Sequence, residues 1–129
     1  MRKAHYFLIK PEKDDMTIVY GIPNCDTVKK ARTWLVKHGH DHVFHDLKKQ
    51  GVPSEQLTRW VRAAGWEKLL NRKGTTWRKL DATTQAAVVD AASAEALMRA
   101  NPSVIKRPVV DWGPDITVGF DAADWAGRV

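Results

Sequence analysis

The chain has 129 residues, 43% hydrophobic and 28% charged, with 21 Lys+Arg against 15 Asp+Glu and a formal net charge of +6. That balance predicts a globular chain rather than a disordered one, and the length suits one domain with room for an insertion. Cys25 is the one cysteine, which excludes an internal disulfide and a zinc site built on several thiolates. No apolar run approaches the ~20 residues that span a bilayer. The N-terminus lacks a signal-peptide pattern, so the expected location is cytoplasmic. The excess charge comes without an aromatic-interleaved basic stripe or a nucleic-acid motif. Nucleic acid is therefore not an expected partner, whereas a small anionic substrate suits the same charge.

In chain order, residues 1–15 mix charges, Pro11 and a short apolar patch (Tyr6 to Ile9), and read as a flexible N-terminal extension of a domain over 16–129. Thr17 to Tyr20 is short, β-branched and bounded by Gly21 and Pro23, the pattern of a buried strand. After the turn Gly21-Ile22-Pro23-Asn24 a helix is predicted from about Cys25 to His38. Val28, Ala31 and Leu35 recur in it at helical spacing, and Gly39 stops it. Val43 to Leu47 reads as a second strand, and strand–helix–strand favours a right-handed crossover in a parallel pair.

A mostly helical insert is predicted over about 53–102. Ser54 is the expected N-cap of a helix whose Leu57, Trp60, Val61 and Ala64 share one face. Gly65 ends it, and Trp66 to Asn71 forms a further turn. Gly74 to Leu80 reads as a loop, Asp81 as the cap of a helix to about Ala92, and Ser93 as the cap of another that ends before Pro102. Trp34 and Trp66 are expected to pack near Trp60. Strands return at Val104 to Asp111, with Pro108 marking a strand start or an unusual bond, and at Ile116 to Phe120, forming an antiparallel hairpin. Asp121 to Val129 reads as a closing helix.

Cys25 stands where a nucleophilic cysteine is best placed. A helix start offers unpaired N–H groups and the positive end of the dipole, both of which favour a thiolate. The gain is chiefly in positioning and in a good leaving thiolate, because nucleophilicity falls along with thiol basicity. Thr27 can donate a hydroxyl hydrogen bond, and Asp26 opposes the anion. The competing reading is a small buried hydrophobe. Arg78, in the basic stretch Gly74 to Leu80, can hold an oxyanion in a bidentate grip. In Lys106-Arg107-Pro108 an arginine precedes an X–Pro bond, the usual place for a cis peptide. Solvated surface charge explains either basic segment equally well. His38, His40, His42 and His45 are dense in sequence, but they straddle a helix end and a loop, so no metal site is expected.

Three ordered motifs carry a resemblance over nearly the whole domain. They are Tyr20-Gly21-Ile22-Pro23-Asn24-Cys25-Asp26-Thr27-Val28-Lys29-Lys30-Ala31, then Gly74-Thr75-Thr76-Trp77-Arg78-Lys79-Leu80, and then Ile105-Lys106-Arg107-Pro108. Together they resemble the ArsC (arsenate reductase-like) family, in particular its YffB-type branch. The resemblance implies an α/β thioredoxin-like fold with a mixed four-stranded sheet, an inserted helical subdomain and a cis bond before Pro108. It implies that Cys25 is the catalytic, redox-active residue, and that Arg78 and Arg107 match two oxyanion-holding arginines. A third arginine of that family, expected after the glycine of the last strand, is replaced by Phe120, and one expected soon after the cysteine is replaced by Lys29.

Both departures favour a glutathione-dependent thiol reductase over an arsenate reductase coupled to glutathione and glutaredoxin. In that expectation Cys25 forms a mixed disulfide with glutathione as co-substrate, and Arg78, Arg107, Lys29 and Thr27 bind the anion. The substrate is a thiol compound or a small oxyanion, and neither a tightly bound cofactor nor a membrane is involved. A further alternative is a regulator resembling Spx, which binds RNA polymerase. Spx-type proteins commonly use a C-x-x-C switch, and Val28 stands where its second thiol would be.

Overall fold

The structure, a computed structural model, describes residues 16–129. The extension expected over residues 1–15 lies outside the described residues. The elements run β1 (Thr17–Gly21), α1 (Asp26–Lys37), β2 (His42–Asp46), α2 (Leu47–Gln50), α3 (Ser54–Ala64), α4 (Trp66–Leu69), α5 (Thr75–Lys79), α6 (Ala82–Ala86), α7 (Ala91–Ala100), a 3-10 turn (Pro102–Val104), β3 (Val109–Asp111), β4 (Ile116–Val118) and α8 (Ala122–Ala126).

The strands form a four-stranded mixed sheet in the order β2-β1-β3-β4. β1 and β2 are parallel, with Val19 opposite Phe44. β3 is antiparallel to both β1 and β4, with Val19 opposite Val110 and Val109 opposite Val118. β4 therefore runs parallel to β1, and the C-terminal ends of β1 and β4 meet the N-terminal end of β3 at one edge of the sheet.

Successive side chains of a strand point to opposite faces, and this divides the core in two. Val19 and Val110 pack with Ala31 and Leu35 of α1, Trp112, and Trp125 of α8. Tyr20 and Val109 pack on the other face with Leu57 and Trp60 of α3, Leu69, Ala94 and Met98. Trp66 joins Trp60 there, but Trp34 does not. It lies across the sheet, edge-on to Trp125 at 5.8 Å and 76°. The expectation that Trp34 packs near Trp60 is corrected by the sheet that separates α1 from α3.

The helical region between β2 and β3 departs from expectation in its punctuation. Gly74 to Leu80 contains α5, not a loop, and the Gly74 carbonyl accepts from the Arg78 amide at 3.2 Å. Asp81 does cap α6, accepting from Thr84 N at 2.7 Å, but that helix stops at Ala86 rather than Ala92. The cap of α7 is Asp90 rather than Ser93. Asp90 Oδ1 accepts from Ser93 N at 2.9 Å while Ser93 Oγ accepts from Asp90 N at 3.1 Å, a reciprocal capping box. Ser54 is the first residue of α3, after the N-cap Pro53, and its hydroxyl accepts from Arg99 Nε at 3.2 Å. The last strand and helix are shorter than expected, and Asp121 caps α8 by accepting from Asp124 N at 3.2 Å.

Candidate active site

The site is built where β1 hands over to α1. Val28, Ala31 and Leu35 are fully buried and hold one stripe of α1 against the sheet. The contact is close enough to dictate Gly21, because a Cβ there would come within 2.8 Å of Val28 Cγ2. The start of α1 is thereby pinned to the end of β1. Cys25 is its N-cap, half-buried and free, in extended conformation (φ −142°, ψ 121°). Its carbonyl accepts from Lys29 N at 2.9 Å, whereas its side chain makes no capping bond. The sulfur is thus left for another partner beside the first-turn amides of a 12-residue helix.

Cys25 and Thr27 line a cavity of about 380 Å³, in the lower part of the range for small-molecule sites, ~300–1,000 Å³. Lys106 and Arg107 come to it from the segment before β3. Val118, Gly119, Phe120 and Asp121 come from the end of β4, and Asn71 from the segment after α4. These are the strand ends that the sheet topology gathers at one edge.

Each wall has a cause. Leu70 and Ile105 form an isolated antiparallel bridge, supported by Asn71 N to Val104 O at 2.8 Å and Lys106 N to Leu69 O at 2.8 Å. This pairing carries Asn71 to the cations. Arg107 Nη1 donates to the carbonyls of Ser103 at 2.9 Å and Ile105 at 3.2 Å, which fixes its planar guanidinium. Its Nε is buried without a partner among the described residues. The Arg107–Pro108 peptide is cis, and Gly119 N donates to Pro108 O at 2.8 Å. Gly119 has φ +90°, the region that favours glycine, and Lys106 Cε lies 3.5 Å from where a Cβ would stand. Phe120 is held edge-on by Trp125 at 4.8 Å and 71°.

The expected site residues divide between this cavity and other places. Cys25, Thr27 and Arg107 are in it, with Pro108 behind Arg107. Lys29 is exposed on α1 and lines a separate groove with Arg32 and Lys37. Arg78 is exposed on α5 and is not among the lining residues. Lys106, Asn71 and Asp121 join the cavity beyond the residues expected from the sequence. Lys106 has a sequence signal, its place in the Lys-Arg-Pro motif. Asn71 has none, because its approach depends on the bridge to residue 105. The histidines go separate ways. His40 Nε2 bonds Thr17 Oγ1 at 2.7 Å, His42 Nε2 accepts from Arg32 Nε at 3.2 Å, and His45 Nε2 bonds Gly51 O at 2.8 Å. Burial, reinforced by the neighbouring Arg32 charge, lowers the His42 pKa below its usual value. Among the described residues no cluster of His, Cys, Asp and Glu could hold a metal ion, and no helix is long and apolar enough to cross a membrane.

A larger cavity, about 620 Å³, lies between α3 and β2. Tyr20, His45, Gln56, Arg59 and Asp111 line it. Arg59 Nη1 pairs with Asp111 Oδ2, and Arg59 Nη2 donates to Gly113 O at 3.0 Å. Burial and then the Asp111 charge raise the Tyr20 pKa above its usual value.

A mixed four-stranded sheet with helices on both faces, a cysteine at the start of the first helix and a cis-proline before the β3–β4 hairpin define a thioredoxin-like α/β protein. The ArsC family model matches residues 20–127, and the chain belongs to the ArsC family. It is 38% identical over 110 residues to an uncharacterized protein of Haemophilus influenzae, covering 85% of this chain and 96% of that one. Among solved structures it is similar to the protein named YFFB (PA3664), at 48% identity and a TM-score of 0.84 over 88% of this chain and 98% of that one. It is also similar to an arsenate reductase (ArsC) related protein of Brucella melitensis, at 48% identity and a TM-score of 0.69 over 92% and 97% of the two chains.

Proposed function

We propose that this protein is a cytoplasmic glutathione-dependent thiol reductase acting through Cys25. The observation that carries the reading is a free cysteine at the start of a well-anchored helix, open to a cavity with Arg107 in its wall, in a chain with no second cysteine. In the first step the Cys25 thiolate attacks a disulfide R–S–S–R′. A bond forms between Cys25 Sγ and one substrate sulfur, the substrate S–S bond breaks, and R′S⁻ leaves and takes a proton from water. A glutathione thiolate then attacks Cys25 Sγ and expels RS⁻. A second glutathione attacks the glutathione sulfur of the resulting mixed disulfide and releases the Cys25 thiolate. The sum converts one disulfide and two glutathiones into two thiols and one glutathione disulfide. Both resolving thiols come from outside the chain, as a single cysteine requires.

Among the protein's own groups, Arg107 and Lys106 attract carboxylates, Thr27 offers a hydroxyl beside the sulfur, and the helix start favours the anionic leaving group. Lys29 and Arg78 contribute charge at longer range in this reading. The test is turnover of bis(2-hydroxyethyl) disulfide with glutathione, followed as NADPH consumed by glutathione reductase. Wild type should exceed both the uncatalysed rate and Cys25→Ser, and equality of all three would end the proposal.

Arsenate reduction at the same sulfur is the second reading, favoured by Arg107 in the cavity wall. Phe120 and the Asp121 carboxylate in that wall weigh against it, because a multiply charged oxyanion needs donors there. Arsenate-dependent NADPH consumption with glutathione and glutaredoxin, lost in Cys25→Ser, would establish it.

A further inference from the structure

We propose that the cavity beside Cys25 selects a thiol co-substrate bearing both a carboxylate and an ammonium group, with Lys106 binding the first and Asp121 the second. The proposal rests on the disulfide chemistry of Cys25 and adds the feature that distinguishes one thiol compound from another. Arg107 is the fixed cation of the wall, since one of its nitrogens is already committed to the Ser103 and Ile105 carbonyls. Lys106 differs from it. Its ammonium makes no ion pair with any described residue, its side chain is exposed, and its Cε passes Gly119, 3.5 Å from where a Cβ would stand. An exposed lysine without an ion pair is suited to a carboxylate that arrives from solution.

Asp121 supplies the opposite charge in the same wall. Its Oδ1 caps α8 through Asp124 N, and Oδ2 accepts no bond from a described residue. The cap fixes the carboxylate in place, because α8 is anchored by buried Trp125. Phe120, locked edge-on against Trp125, sits between the Asp121 backbone and Gly119 and gives that wall an apolar surface. A tetrahedral oxyanion would meet the Asp121 charge as repulsion. An amino-acid-like co-substrate meets complementary charge at both places, with an apolar surface for its methylene chain.

The test compares the rate of Cys25 modification by three disulfides, read by intact mass. Glutathione disulfide carries ammonium and carboxylate groups, 3,3′-dithiodipropionate carries carboxylates alone, and bis(2-hydroxyethyl) disulfide is neutral. In Lys106→Gln the rates for both carboxylate-bearing disulfides, each divided by the rate for the neutral one, should fall about threefold to tenfold. Asp121→Asn keeps a good N-cap residue. It should lower the ratio of glutathione disulfide to dithiodipropionate by about threefold to tenfold, because the ammonium-bearing disulfide loses its partner where the disulfide with carboxylates alone loses a repulsion. Ratios unchanged from wild type in both variants would overturn the charge assignment while leaving the cysteine chemistry standing. Failure of all three disulfides to modify wild-type Cys25 would instead remove the thiol reductase reading, and this proposal with it.

Discussion

The two cavities differ in what their charges are doing. Beside Tyr20, the larger space holds a cation that is already spent. Arg59 is paired with Asp111 and bonded to the Gly113 carbonyl, and Asp111 Oδ1 also accepts from Gly113 N at 2.9 Å. That network ties α3 to the end of β3. Beside Cys25, the smaller space holds the Lys106 ammonium and a buried Arg107 nitrogen, neither with a partner among the described residues, and a free thiol. Volume is therefore a poor guide to chemistry in this molecule. Where the fold satisfies its own charges it gains rigidity, and where it leaves them unsatisfied next to a nucleophile it is equipped to bind.

Substitutions can break or sharpen this contrast. The largest effect is expected for Cys25→Ser, which should abolish disulfide reduction. Stability should not fall, because serine is a preferred N-cap residue and its hydroxyl can accept from the first-turn amides that the Cys25 side chain leaves unbonded. Gly21→Ala comes next. The new Cβ meets Val28 Cγ2 at 2.8 Å, and overpacking of this kind costs about 1–3 kcal/mol. Because the strain falls on the anchor of α1, Cys25 modification should slow as well as thermal stability drop, both measurable on one sample.

Asp111→Ala probes the other cavity. It removes the acceptor of Arg59 and of Gly113 N, at a cost of about 1–3 kcal/mol, nearer the lower figure because Arg59 keeps access to water. Denaturant unfolding should report that loss, while the rate of Cys25 modification by glutathione disulfide stays within twofold of wild type. A comparable fall in reactivity would erase the distinction between the two cavities.

The smallest effect is a pH dependence. Burial and Arg32 lower the His42 pKa in the folded chain, so the unfolded chain binds a proton more readily there. Stability from this group is complete above the ordinary histidine value of 6.5 and is lost as pH falls below it. Unfolding curves between pH 7 and 5 should therefore be flatter for His42→Gln than for wild type.

Much of this organisation is legible in the sequence because it is local. The β-branched run at Thr17 to Tyr20, the Val28, Ala31 and Leu35 stripe and the Pro108 signal each act over a few residues. They fix β1, the buried face of α1 and the site of the cis bond. The helical region carries weaker local signals. Thr75 and Thr76 are weak helix formers, yet α5 closes a turn on the Gly74 carbonyl. The α7 cap uses Asp90 and Ser93 in the reverse of the usual capping-box order, so the sequence points to the serine as the cap. The cavity walls depend on non-local pairing. Nothing near Asn71 foretells the bridge between residues 70 and 105, and nothing near Arg78 foretells that α5 leaves it exposed outside the Cys25 cavity. Asp121 has an evident local role as a cap, which conceals its second position in the cavity wall.

In the proposed cycle Cys25 accepts glutathione from solution. Intact-mass analysis of the full chain after exposure to oxidised glutathione at neutral pH tests it most directly. One added glutathionyl group is expected, mapped to Cys25, removed by excess reduced glutathione and absent from Cys25→Ser. An unmodified wild-type chain, with Cys25 still open to a small alkylating reagent, would contradict it.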